Sequence, residues 1–154
     1  MSPRADVSMS LEEIEAFLTR PRTGVLSTLG ADGFPHSTGM WFVPEDGRLL
    51  MWTYAKSQKS RNLQRDPRCS FLVEDGFEYS ELRGILVRGP ARLITERAEI
   101  VSIGRRLYGR YTEPRTKIPV EEGPIAEIER QATKRIGIEV PLARIATWDH
   151  RKLR

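Results

Sequence analysis

Cysteine is almost absent from this chain, and what little there is excludes a good deal. Cys69 is the single cysteine, so there is no internal disulfide and no cysteine-ligated zinc site. Histidine is scarce too: His36 and His150 are the whole supply, too few for a His-rich metal centre. No stretch approaches the roughly 20 apolar residues of a membrane span. Met1 to Val7 contain no apolar core of signal-peptide length. These absences give the expectation of a cytoplasmic protein without a membrane span. The phosphate-loop and dinucleotide-loop glycine patterns are missing, as is the HExxH pattern, and no Ser–His–Asp set stands out. Hydrolysis therefore has no support, whereas a reaction whose hard step belongs to a bound cofactor stays open.

What is present suits a folded domain. The 154 residues are 39% hydrophobic and 30% charged, and a chain of this length buries about 70% of its unfolded surface. One domain over 1–154 is expected, with an ordered core over about 9–149. The net charge of +4 suits an anionic partner. The basic run lacks the interleaved aromatics of a base-stacking platform, so nucleic acid is not the expected partner.

Hydrophobic spacing outlines the elements. Ser10 and Glu13 have the spacing of a capping box, followed by Leu11, Ile14, Phe17 and Leu18 on one helical face, with Pro21 ending it. Strands are expected over about 24–29, 34–43 and 49–54, joined by turns rich in Gly and Asp. A helix over 57–65 closes at Asp66-Pro67. Further strands are expected at 69–74 and 82–94, then a helix capped by Thr95 with Ile100, Ile103, Leu107 and Tyr111 on its apolar side. Loop 112–123 precedes a short helix over 124–131 and a last strand over 136–148, broken near Pro141. The tail from His150 is expected to be mobile. About six strands and four helices that do not alternate as βαβ units predict a mainly β (α+β) antiparallel barrel with helices outside.

The charge is unevenly placed. Lys56, Lys59, Arg61, Arg65 and Arg68 face one acid, Asp66, and the run starts where a strand meets a helix N-terminus. Free N–H groups and the helix dipole favour an anion there. Ser57 and Ser60 add hydroxyls and Lys59 adds full charge, which reads as a phosphate cradle. Arg61, Arg65 and Arg68 read instead as a solvated helix face. In the strand Pro35-His36-Ser37-Thr38-Gly39-Met40-Trp41, alternation sends His36, Thr38 and Met40 to one side and the others to the opposite side. Small residues there leave room for a planar ligand, although a plain strand end fits the same pattern. Trp41 and Trp52 fit a core or an interface as well as a stacked ring. Cys69 reads as a small buried hydrophobe.

Gly33-Phe34-Pro35-His36-Ser37, Trp52-Thr53 through Lys59, Arg61-Asn62-Leu63 and Arg65-Asp66-Pro67-Arg68 together resemble the pyridoxamine 5′-phosphate oxidase-like superfamily. The resemblance covers about Leu11 to Trp148. It implies an FMN-binding-like split barrel acting as a homodimer, with cofactor sites at the subunit interface. The FMN-binding oxidases of that superfamily carry an arginine on strand two, which falls here near Thr38. They also carry an Arg-Lys pair at the following helix, held here by Gln58 and Lys59. A neutral side chain does not replace a bidentate guanidinium.

The pattern is more similar to the branch that uses the deazaflavin F420. The resemblance implies a phosphate held by Lys59, Ser57 and Lys56, with Ser60 alongside. It places the ring along Pro35, His36, Ser37, Thr38, Trp52 and Thr53, and an acidic polyglutamate tail near Lys56, Arg61 and Arg65. It also lets Tyr79 and Arg83 reach a neighbouring subunit's site. The implied reaction is hydride transfer between reduced F420 and a small quinone, tetrapyrrole or enone acceptor. The alternatives are an FMN-binding oxidoreductase and a non-catalytic flavin or haem-type carrier.

Overall fold

The structure, a computed structural model, describes residues 7–153, so the outermost ends of the expected 1–154 domain lie outside the described residues. Among the described residues, nine strands form two antiparallel sheets. They are β1 (Gly24–Leu29), β2 (Pro35–Met40), β3 (Val43–Glu45), β4 (Arg48–Tyr54), β5 (Arg68–Asp75), β6 (Arg83–Pro90), β7 (Arg92–Ile94), β8 (Arg135–Pro141) and β9 (Arg144–Asp149). One sheet has the order β2-β1-β5-β6-β9 and the other β3-β4-β8-β7. Together they make the antiparallel split barrel of an α+β protein.

Among the described residues, five α-helices accompany the sheets: α1 (Leu11–Thr19), α2 (Gln58–Arg65), α3 (Arg97–Tyr111), α4 (Glu113–Thr116) and α5 (Pro124–Ala132). Helix α1 starts on the expected capping box, with Ser10 and Glu13 bonding each other's backbone. It buries Ile14, Phe17 and Leu18, each contributing about 1.5–3 kcal/mol before entropy is counted. These side chains join Leu26, Phe42, Phe71, Met51, Ile85 and Ile138 in the main core. A second cluster under α3 gathers Leu50, Ile94, Ile100, Ile103, Leu107 and Ala132. Strand β4 lies between the two cores, which is why Leu49, Leu50 and Met51 are buried in succession.

Two expected strands turn out to be divided, and a third breaks near Pro141 as expected. The expected strand 34–43 becomes β2 and β3, in different sheets. Phe42, fully buried, marks the crossing, and Trp41 stacks on Tyr111 with centroids 4.6 Å apart. The expected strand 82–94 changes sheet between β6 and β7, where Pro90 has no N–H to continue a ladder. The final strand divides after Pro141 into β8 and β9.

Other expectations are corrected as well. The cap of α3 is Glu96, not Thr95. The loop 112–123 contains α4, with Pro114 in its first turn, where a missing N–H costs nothing. The tail is not loose over 150–153: it forms a 3₁₀ turn. Lys152 bonds the Ser8 carbonyl at 2.6 Å and the Glu13 carboxylate at 2.7 Å, while Arg151 grips Asp149. Among the described residues, no helix is long and apolar enough to cross a membrane.

Candidate functional site

Strand β4 hands over to α2 through a tight turn in which the Ser57 N–H bonds the Tyr54 carbonyl at 3.0 Å. Ser57 is the N-cap of α2, and its Oγ accepts from the Ser60 N–H at 3.3 Å. Thr53 ends the inward-facing row of β4, buried, and donates to Ser57 Oγ at 3.3 Å. Lys59 Nζ donates to Thr53 Oγ1, also at 3.3 Å. These contacts are long for hydroxyl and ammonium donors. Thr53, Ser57, Lys59 and Ser60 are thus brought together at one helix N-terminus.

A residue from another strand joins them. Arg135 opens β8 and pairs in register with Tyr54. Its guanidinium lies 4.4 Å from the Trp52 ring centroid and 4.3 Å from that of Tyr54. Its Nη2 donates to Gln131 Oε1 at 3.0 Å, while its Nε is buried without a partner. Burial, and then the Arg135 charge, hold the Lys59 ammonium below its usual range. Burial likewise pushes Arg135 down. Among the described residues, neither cation is paired with a carboxylate, although thirteen such pairs occur elsewhere. Two desolvated like charges beside a helix N-terminus favour an anion between them.

Buried polar atoms extend the site toward β2. Among the described residues, Ser60 Oγ, Thr38 Oγ1 and His36 Nδ1 have no hydrogen-bond partner. His36 pairs with Thr28 across β1, and Thr28 Oγ1 accepts from Asn62 Nδ2 of α2 at 3.0 Å. His36 and Thr38 therefore share the face that looks toward α2. Pro35 and Ser37 stand on the opposite face, where Ser37 Oγ and Ser27 Oγ are hydrogen-bonded at 2.8 Å.

The other basic residues divide in two. Lys56 and Arg61 face solvent. Arg65 is tied to the Leu29 carbonyl and to Asn62 Oδ1, and Arg68 to Asp66. The Arg68 hydrogen bonds hold the Asp66 carboxyl at about 2. Gln58 bonds Asn62 Oδ1 at 2.8 Å, which turns it back onto its own helix. Tyr79 rests on the His150 ring and Arg83 pairs with Asp75 at 3.6 Å.

Next to Arg135 opens a groove of about 680 Å³ whose walls include Gly39, Trp41, Trp52, Gly104 and Tyr108. Gly104 is needed for it: a Cβ there would stand 2.5 Å from the Trp52 ring and 2.8 Å from Ile128. Arg135 lines this groove and also neighbours Lys59, so it joins the cradle to an aromatic slot. Arg135, Gly104 and Tyr108 are absent from the sequence-based site. No local motif marks them, because only the β4–β8 register and the α3 packing bring them here.

The family model described as "Pyridoxamine 5'-phosphate oxidase" matches residues 10–149. The chain belongs to this family. Among solved structures, a conserved hypothetical protein, Rv2991 from Mycobacterium tuberculosis, is 43% identical. Its TM-score is 0.87, over 99% of this chain and 92% of that one. A structure of an F420 reductase is 26% identical with a TM-score of 0.64, over 85% of this chain and 94% of the other. A FAD-binding protein from Mesorhizobium loti shares the fold at 14% identity and TM-score 0.65, over 91% and 94%. The family is described by an oxidase, and an F420 reductase is among the similar solved structures. In this chain Thr53 and Lys59 meet at the strand-to-helix corner, while Gln58 is turned back onto Asn62. Arg135 brings a guanidinium to that corner from β8.

Proposed function

We propose that this protein is an F420-dependent oxidoreductase that moves a hydride between the reduced deazaflavin and a small quinone-, tetrapyrrole- or enone-type acceptor. The observation that carries the reading is the pair Lys59 and Arg135. Both are partly desolvated, they repel each other, and neither has a carboxylate partner. A bound phosphate diester relieves both costs and adds charge-assisted hydrogen bonds, each worth about 1.5–3 kcal/mol. The orphaned Ser60 hydroxyl fits the same group and the orphaned Thr38 hydroxyl fits the ring edge, since buried polar atoms without partners are rare.

In this reading Lys59, Ser57, Ser60 and Arg135 hold the phosphate. Lys56 and Arg61, free in solvent, attract the acidic tail. His36 and Thr38 line the ring with Thr53, and Trp52 forms a wall. Pro35 and Ser37 shape the strand edge from its other face. The cofactor, when bound, supplies the hydride chemistry. The chain's own residues anchor it, orient it and narrow the slot from which water is excluded. The acceptor occupies the groove between Trp41, Trp52 and Tyr108. Solvent supplies the proton, since no carboxylate lines β2 or the cradle. Exposed Trp41 and Tyr54, 45% and 56% accessible, support a second subunit that covers the site as a homodimer, with Tyr79 and Arg83 contributed across it. The reading carries the expectation of a cytoplasmic, single-domain protein.

Quenching of F420 fluorescence on titration tests this directly. Saturable binding at micromolar cofactor is expected, weakened tenfold or more by Lys59→Ala. No saturation would contradict the reading. The guanidinium of Arg135 also favours a second reading, an FMN-binding oxidoreductase. A yellow purified protein that releases FMN on denaturation would select it.

A further inference from the structure

The outer face of the five-stranded sheet carries a second basic feature, separate from the Lys59 corner. One cross-strand row runs over all five strands: Ser37, Ser27, Ser70, Arg88, Arg144. Arg88 and Arg144 are direct antiparallel partners. Like charges directly opposite each other destabilise a sheet. Among the described residues neither guanidinium has an acid, a hydrogen bond or a ring to offset this. Three hydroxyls continue the same row.

These residues are part of a groove rather than a flat face. A cavity of about 520 Å³ is lined by Ser27, Ser70, Arg88 and Arg144 along one side. Leu29, Pro35, Pro90, Pro141 and Ala143 give it an apolar side. Pockets that are mostly apolar with a few convergent polar groups are the usual shape of a small-molecule site. Two unpaired guanidiniums set the sign of the ligand, and their fork geometry suits a phosphate or carboxylate.

We infer that this groove binds an organic anion: a phosphate monoester head held between Arg88 and Arg144, hydroxyl contacts from Ser70 and Ser27, and an apolar body against the leucine and prolines. The site is separate from the cradle at Lys59, although Pro35 lines it and also belongs to the strand edge of the proposed cofactor site. Its ligand is small, amphipathic and doubly charged near neutral pH.

Phenyl phosphate, with inorganic phosphate beside it, is the probe. Amide chemical shifts are followed on the full chain, in wild type, in the double variant Arg88→Ala/Arg144→Ala and in Lys59→Ala. Saturable shifts at Ser70 and Arg88 are expected with phenyl phosphate, at least tenfold tighter than with inorganic phosphate. The double variant should lose at least tenfold in affinity at these amides, and Lys59→Ala should leave them unchanged. The exposed double variant should melt no lower than wild type, because it removes a like-charge contact. Equal affinity in wild type and double variant, or loss of the shifts only in Lys59→Ala, would overturn the inference.

Discussion

Lys59 and Arg135 come from a helix N-terminus and a strand 76 residues further along the chain, yet they set two partly buried positive charges within reach of each other. Among the described residues, Lys59 reaches only the Thr53 hydroxyl, at 3.3 Å. Arg135 lies against Trp52 and Tyr54 with its Nε unpaired. Such an arrangement stabilises an anion and penalises the empty protein.

That penalty gives the first prediction. Lys59→Met removes the repulsion and the buried ammonium, so the cofactor-free protein should be at least as stable as wild type. Cofactor affinity should fall by about 1.5–3 kcal/mol, the scale of one charged hydrogen bond. Denaturant melts paired with calorimetric titration read both effects. A variant that loses stability and keeps affinity would contradict the assignment.

The pH dependence has a definite sign. Lys59 has a folded value below its ordinary 10.5, so between those two values the unfolded chain binds more protons than the folded one. Stability contributed by this group therefore rises with pH across that alkaline window. Its cost is fully present below the folded value and fades as pH rises toward 10.5. The stability advantage of Lys59→Met should shrink as pH is raised from 7 toward 10. Urea melts at several pH values measure the gap, and a gap that widens would reverse the sign.

Cys69 should be inert in the folded protein. Burial pushes its thiol up to about 11, so the thiolate, the reactive form, is a minute fraction near pH 7.5. A colorimetric disulfide reagent should label it slowly in buffer and promptly in denaturant. Fast labelling of the native protein would show that the thiol is exposed or activated.

Gly104→Ala tests the groove wall. A methyl group would meet the Trp52 ring at 2.5 Å and Ile128 at 2.8 Å. Overpacking of this kind costs about 1–3 kcal/mol, against a helix-propensity gain of about 1 kcal/mol. A net loss of up to about 2 kcal/mol is expected, with altered tryptophan emission and weaker acceptor binding. Unchanged emission would mean that Trp52 does not form the wall.

Asn62→Ala tests the polar link between α2 and the sheet. Asn62 is fully buried and donates to Thr28 at 3.0 Å. Its removal orphans the Thr28 hydroxyl and frees Gln58 and Arg65. A loss of about 1–3 kcal/mol in thermal or denaturant stability follows from an unsatisfied buried group.

Sequence order revealed the barrel because its signals are local. The capping box at Ser10, the turn at Gly30 to Gly33 and the close of α2 at Asp66-Pro67 each depend on a few adjacent residues. The change of sheet at Trp41-Phe42 was not legible. Whether a strand continues or crosses to another sheet is decided by Phe42 finding the core, a long-range event. At the candidate site, Ser57, Lys59 and Ser60 were legible as a strand-to-helix corner. Arg135 was not: at the start of β8 it resembles any surface arginine until the β4–β8 register places it beside Tyr54.

The account stands or falls on an anionic group being what the Lys59–Arg135 corner holds. The most direct measurement compares equilibrium binding of F420 with that of the same deazaflavin lacking its phosphate and tail, at one ionic strength. A hundredfold or greater preference for F420, reduced at least tenfold in Lys59→Ala, is the predicted result. Equal affinity for the two, in wild type and variant alike, would contradict it.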